Sequence, residues 1–238
     1  MNRIISISLW GKEPKYTVGA IRNAELAKIH YSDFKFRVYV DESVSEVDKQ
    51  SLLAAEAQVF QVRANTHSGG WAGLFWRYFP SLDPSTEILL PRDADSRLSV
   101  REVSAVRSWL ESGCILHVMR DHPGQYMPIM GGMCGMRGDG LRLLGVHLNN
   151  FLQQPRALGY NSDQMFLESV FADTPMEKIC LHDEIFDDKK FPTSRIGSEY
   201  VGEIFDENER NIDEHKRIMN AWRNFKAICP TALLVRRP

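Results

Sequence analysis

What narrows the fold most is an alternation of short apolar runs with helical patterns at the start of the chain. Ile4 to Leu9 reads as a buried strand. A helix follows, capped by Thr17 and running to about His30, with Val18, Ile21 and Ile29 on one side. Phe36 to Val40 alternates toward Asp41 as a second strand, Ser45 to Ala57 suits a helix, and Val59 to Val62 a third strand. Strands separated by helices argue for βαβ units and a largely parallel sheet. The fold expected is an α/β/α sandwich of Rossmann type.

A further strand, Glu87 to Leu90, runs into Pro91-Arg92-Asp93-Ala94-Asp95-Ser96-Arg97. Carboxylates spaced Asp-x-Asp just past a strand can both turn toward one hard cation. Mg²⁺ or Mn²⁺ prefers such oxygen donors and keeps positions open for water and substrate phosphates. Open α/β sheets bind ligands outside the carboxyl ends of their strands, so the place suits the chemistry. The same residues also fit a plain loop with a salt bridge to Arg92 or Arg97.

Other segments supply candidates, each with a structural alternative. The loop Asn65 to Gly70 leads into an aromatic segment, Trp71 to Phe79, expected to be helical. Within it Arg77 could grip phosphate with its planar fork, or simply face solvent. Asp41 could accept from a nucleobase N–H or cap a turn. Ser99 and Glu102 form a capping box before the apolar face of Val103, Val106 and Leu110, and Ile115 to Met119 is the next strand. In Ile129 to Gly140, Gly131 and Gly132 allow close backbone approach to a sugar, or a tight turn. This stretch fits neither the P-loop nor G-x-G-x-x-G.

Helices are expected over Leu141 to Leu152 and Ser162 to Phe171. Asp163, at the start of the second, is either an N-cap or a carboxylate able to orient or deprotonate a hydroxyl. Ile179 to Leu181 is a short strand ending at His182, a possible third metal ligand or an ordinary histidine. Asp121 and His122 sit in a polar loop at a strand end, and Asp183 to Glu209 reads as irregular. After Glu214 the tail is basic, with Lys216, Arg217, Arg223, Lys226, Arg236 and Arg237, and Ile218, Trp222, Phe225 and Cys229 share a helical face. Such a helix either docks on the core or rests on an anionic membrane surface.

With 238 residues, 43% of them hydrophobic, the chain can bury one sizeable core, and one domain is expected. It divides into a first half ending at the Asp-x-Asp (1–97), a second half (98–205) and the tail (206–238). A net charge of −2 gives no electrostatic case for nucleic acid. Cys114, Cys134, Cys180 and Cys229 are too widely spaced for a zinc pattern or a disulfide framework. With no signal-peptide pattern and no membrane-length apolar run, a cytoplasmic protein is expected, with peripheral membrane contact through the tail.

Taken in order, the alternating N-terminal half, Asp93-Ala94-Asp95 after a strand, the glycine-rich stretch, Asn161-Ser162-Asp163-Gln164 and the later His182 resemble a GT-A-fold glycosyltransferase over Met1 to Phe205. The resemblance implies a nucleoside diphosphate sugar donor and a glycan or glycolipid acceptor. It implies Mn²⁺ or Mg²⁺ held by Asp93, Asp95 and His182, and donor contacts from Trp10, Asp41, Arg77, Arg92, Asp93, Gly131 and Gly132. Asp163 takes the place of the acidic residue near the acceptor, and Asp121 is the second candidate base. No Lys-Pro-Trp follows His182, a departure from the retaining pattern. Two other readings remain: a metal-dependent phosphatase or nucleotidyltransferase, and a non-catalytic nucleotide- or carbohydrate-binding module. The first strand ends in Leu9-Trp10-Gly11, without the Asp-x-Asp and Thr of a phospho-aspartate phosphatase.

Overall fold

The computed structural model describes residues 1–62, 70–153, 158–231 and 233–234. The strands are β1 (Asn2–Leu9), β2 (Lys35–Val40), β3 (Gln58–Gln61), β4 (Thr86–Arg92), β5 (Leu116–Arg120), β6 (Cys134–Arg137) and β7 (Ile179–Asp183). The helices are α1 (Pro14–His30), α2 (Glu46–Ala54), α3 (Val100–Ser112), α4 (Asp139–Leu152), α5 (Ser162–Phe171) and α6 (Asp213–Ile228). A run of 3₁₀ turns, Gly70–Leu82, leads into β4.

The strands form one seven-stranded sheet in the order β3-β2-β1-β4-β6-β5-β7. Only β6 runs antiparallel to its neighbours. The chain steps from β1 outward to β2 and β3, then returns to place β4 on the other side of β1. That reversal is the switch point at which open sheets leave a crevice. Pro91 is tolerated in β4 because β6 pairs only with Ile88 and Leu89 and has left that edge before Pro91.

Each face of the sheet has its own core. Ile5, Ile7 and Leu9 pack with Ala20, Ala24, Leu52, Val106 and Trp109 of α1, α2 and α3. Ile4 and Leu89 face the other way, onto Phe75, Tyr78, Leu144, Leu148, Phe166 and Leu167. Alternation along β1 thus feeds both layers, and the arrangement is an α/β/α sandwich, as expected.

Several local expectations are corrected. Thr17 lies inside α1, because Pro14 in the first turn starts the helix earlier: its ring presets φ and it needs no hydrogen-bond acceptor. The aromatic segment winds as 3₁₀ turns, with Pro80 inside it. Ser99 accepts from the Glu102 N–H, but the Glu102 carboxylate turns inward to Arg92 instead of closing the box. α6 docks Met219 and Trp222 among Ile185, Phe186 and Tyr200, while Ile218, Phe225 and Ile228 are exposed. The Asn65 to Gly69 part of the loop, and Arg236 and Arg237 of the tail, lie outside the described residues. No described helix is long and apolar enough to cross a membrane.

Candidate functional site

Just past the carboxyl end of β4, Asp93 and Asp95 enter the crevice beside β1. Arg77 is held there by its own backbone, whose N–H donates to Ser8 Oγ of β1 at 2.8 Å. The residue is 5% exposed and its guanidinium forks, Nη1 pairing with Asp93 and Nη2 with Asp163. Tyr78 Oη adds a hydrogen bond to Asp163 Oδ2 at 3.3 Å. Three residues far apart in sequence therefore form one ionic bridge, from the end of β4 to the start of α5. Asp93 remains open, its side chain 44% exposed.

The glycines lie on this bridge. A Cβ on Gly132 would fall on the Asp93 carboxylate, and one on Gly131 would meet Asp163 and the Arg77 guanidinium. Here glycine permits backbone to approach charged side chains closely. Gly131 and Gly132 thus lie with Arg77, Asp93 and Asp163.

α1 sets the Asp-x-Asp loop through a stripe that the sequence reading missed. Lys15 Nζ lies 3.4 Å from Asp95 Oδ2. Gly19 leaves no room for a side chain against the Ala94 carbonyl. Asn23, 1% exposed, donates to the Ser96 carbonyl at 2.7 Å and accepts from the Leu98 N–H at 3.0 Å. These residues succeed one another by one helical turn and so share a face. A glycine and an asparagine on the buried side of an amphipathic helix were the available clue.

Asp95 is 9% exposed. Burial, and then the charge of Asp93, push its carboxyl above the ordinary carboxylate value, while Lys15 opposes them. Two mutually repelling carboxylates at the mouth of a crevice are a donor set that a hard divalent cation neutralises, so the pair fits Mn²⁺ or Mg²⁺. Neither Arg92 nor Arg97 forms the structural salt bridge considered above, since Arg92 pairs with Glu102 and Arg97 with Glu209.

At the ends of β1 and β2 a cleft of about 340 Å³ is lined by Gly11, Lys12, Pro14, Thr17, Val18, Ser43, Ser45 and Asp48. Trp10 stands beside it, edge-on to Trp76 at 5.8 Å and pressed on Gly73. Asp41 is 6% exposed and accepts from the Ser43 N–H and hydroxyl, which is the turn-capping role.

The remaining expectations are corrected. Arg92 is 2% exposed and points into the core, bonding Glu102 Oε1 at 2.7 Å and the Cys134 carbonyl at 2.8 Å, so its guanidinium is spent inside the protein. Asp121 is fully buried. It takes both Arg101 nitrogens at 2.8 and 2.9 Å, Arg195, and the Val201 N–H at 2.9 Å. With its oxygens so engaged it is a structural hub, not a base. His182 forms no ligand cluster with Asp93 and Asp95; it sits in β7 with Nδ1 2.8 Å from His117 Nε2. Asp163 has a side chain only 3% exposed, and its Oδ2 pairs with Arg77.

No family model matches the chain, and no curated protein matches it in sequence. Solved structures do resemble it. Staphylococcus aureus TarS 1–349 superposes with a TM-score of 0.51 at 14% identity over 79% of this chain and 59% of that one. The 4-diphosphocytidyl-2C-methyl-D-erythritol synthase of Anaerococcus prevotii gives 0.50 at 11% identity over 94% and 99%. Glucosyl-3-phosphoglycerate synthase of Mycobacterium tuberculosis, solved with Mn²⁺, UDP and phosphoglyceric acid, gives 0.49 at 13% identity over 98% and 80%. At these identities the likeness concerns the fold, which is GT-A-like.

Proposed function

We propose that the crevice at the carboxyl ends of β1, β2 and β4 binds a nucleoside diphosphate sugar and that the protein transfers the sugar to a glycan acceptor. The observation that carries the reading is the bridge from Asp93 through Arg77 to Asp163. It holds a cationic fork and a half-open carboxylate together at the switch point of the sheet.

The nucleoside suits the cleft lined by Gly11, Lys12, Ser43 and Ser45, flanked by Trp10. The diphosphate would then lie toward Asp93 and Asp95, which would hold the Mn²⁺ or Mg²⁺. When bound, that cation supplies charge neutralisation for the departing diphosphate. Arg77 adds a fixed positive charge that is already oriented, and such preorganised charge stabilises the leaving group without reorganisation. Asp163 and Tyr78 keep the Arg77 fork in its plane. Gly131 and Gly132 present backbone where the sugar would sit. Lys15 balances Asp95.

A nucleotidyltransferase is the competing transferase. It would want a basic glycine-rich loop after β1, yet β1 ends at Leu9 and α1 starts at Pro14. That short connection favours sugar transfer.

The test is nucleoside diphosphate release from a panel of nucleotide sugars in the presence of acceptor glycans, with Mn²⁺ or with chelator. Release from one donor is expected, abolished by chelator and reduced at least about a hundredfold in Asp95→Ala, with the fold intact by circular dichroism. Release indifferent to both chelator and Asp95→Ala would end the metal assignment. Pyrophosphate formation from a nucleoside triphosphate and a sugar phosphate would move the protein to the nucleotidyltransferases.

A further inference from the structure

β5 and β7 carry a second group of metal-binding side chains that the crevice does not use. In their parallel register His117 lies opposite Cys180, and Met119 opposite His182. Register partners and alternate residues share a face, so His117, Cys180 and His182 all project toward α3. Their ligand atoms lie within 4.8 Å of one another. Trp109 of α3 stacks on His117 with centroids 5.3 Å apart and planes at 13°, and Phe191 lies over His182 at 5.4 Å.

A hydrogen-bonded pair of core histidines accounts for only part of this. The contact between His117 Nε2 and His182 Nδ1, at 2.8 Å, uses one shared proton. The other nitrogen of His117, Nδ1, is buried with no hydrogen-bond partner among the described residues. Buried polar atoms are normally satisfied, so the pair is one partner short. Nor does the pairing explain a thiol beside it on the adjacent register position.

We propose that His117, Cys180 and His182 form a binding site for a borderline divalent cation, zinc foremost, that ties the edge strand β7 to β5. Imidazole and thiolate donors select zinc over Mg²⁺ or Mn²⁺, whose preference is oxygen. Tetrahedral zinc wants sulfur at about 2.3 Å and nitrogen at about 2.0–2.1 Å, so on binding the paired histidine nitrogens part and the Cys180 thiol turns toward them. Binding releases the thiol proton to solvent and leaves a thiolate on the metal. Cys180 is half-buried, so an ion can enter from its side. Three protein ligands leave a fourth position for water. The site is separate from Asp93 and Asp95 and does not depend on the proposed sugar transfer.

Cobalt(II) is the direct probe, because a thiolate on Co²⁺ gives a charge-transfer band in the near ultraviolet. The full chain, stripped by chelator and titrated with Co²⁺, is expected to show that band saturating at one ion per chain. Zn²⁺ should abolish it by displacement and raise Tm in Asp95→Asn as in wild type, while excess Mg²⁺ should leave the band in place. Cys180→Ser should lose the band, and Asp95→Asn should keep it. Absence of the band together with a Tm unmoved by Zn²⁺ overturns the site, as does a band that survives Cys180→Ser. Should His182→Gln fail to fold, Cys180→Ser, at a half-buried position, still decides.

Discussion

The same dipeptide, Arg-Asp, stands at the ends of β4 and β5, and its two copies have opposite fates. Arg92 and Arg120 are alike: each is 2% exposed and turned back into ionic partners, Glu102 for one, Asp183 and Asp187 for the other. The aspartates differ. Asp121 is closed over by Arg101, Arg195 and the Val201 N–H, and none of it is exposed. Asp93 takes one guanidinium and stays nearly half open. What distinguishes them is the chain that returns over each strand end. Residues Arg195 to Val201 fold back onto β5, whereas the end of β4 meets two glycines. A saturated carboxylate fixes structure, and one with spare valence at a crevice can meet a ligand.

The sharpest way to break this contrast is to neutralise each aspartate in turn. Asp121→Asn leaves the buried Arg101 and Arg195 with only Glu184 to share, so a loss of about 3 kcal/mol is expected. Asp93→Asn removes a partly exposed charge while Arg77 keeps Asp163, so about 1 kcal/mol or less is expected. Urea titrations of the two variants measure both. Equal losses would mean that the two ends do not differ as described.

Arg77→Lys comes next. A lysine keeps the charge but cannot span Asp93 and Asp163, because an ammonium is a point donor where the guanidinium is a fork. A loss of roughly 1–3 kcal/mol is expected for the broken bridge. Diphosphate release should fall by more than Asp163→Asn lowers it, if Asp163 acts through Arg77. The opposite order would restore Asp163 as a residue that touches substrate.

How much of this was legible beforehand depends on whether a property is local. The βαβ alternation was, since apolar runs and helical periods are written within each segment, and α5 begins and ends where its pattern says. Arg77, Asp93, Asp163, Gly131 and Gly132 were named from local chemistry, and the fold brings them together. Arg92, Asp121 and His182 were named by the same reasoning and are occupied elsewhere. Nothing near Asp121 in sequence foretells Arg195, which comes from 74 residues away. Lys15, Gly19 and Asn23 were missed for the converse reason: their partner is a loop far downstream, and a helix pattern alone shows only which side is buried.

Glycine substitutions sharpen the comparison at smaller cost. In Gly132→Ala the new Cβ meets the Asp93 carboxylate, which must shift. Misplacing a charged group at a reacting centre is expected to cost about tenfold or more in release. Gly138→Ala is the control, because it has φ +54° and open space around the Cβ position. It should cost about 1 kcal/mol of backbone strain and leave release unchanged. If Gly132→Ala behaved like Gly138→Ala, the glycine would be a turn residue only.

Acid separates the two regions most gently, through His122 beside the hub. Its Nδ1 accepts from the Gly124 N–H at 3.0 Å, which leaves Nε2 to carry the proton toward the His215 carbonyl at 3.0 Å. A proton added at Nδ1 would turn two donors toward each other. Burial is the main reason its pKa falls below the ordinary 6.5. The unfolded chain therefore binds that proton first. The stabilisation is complete above the unfolded value and is lost as pH falls through the folded one. Urea midpoints for wild type and His122→Gln, compared at pH 7.5 and 5.5, should show wild type losing slightly more on acidification, a difference smaller than any above. At the Asp93 end the neighbouring Asp95 carboxyl is raised, not lowered, by burial and by the charge of Asp93, so acid acts there with the opposite sign. An acid loss unchanged in His122→Gln would place the pH sensitivity outside the hub.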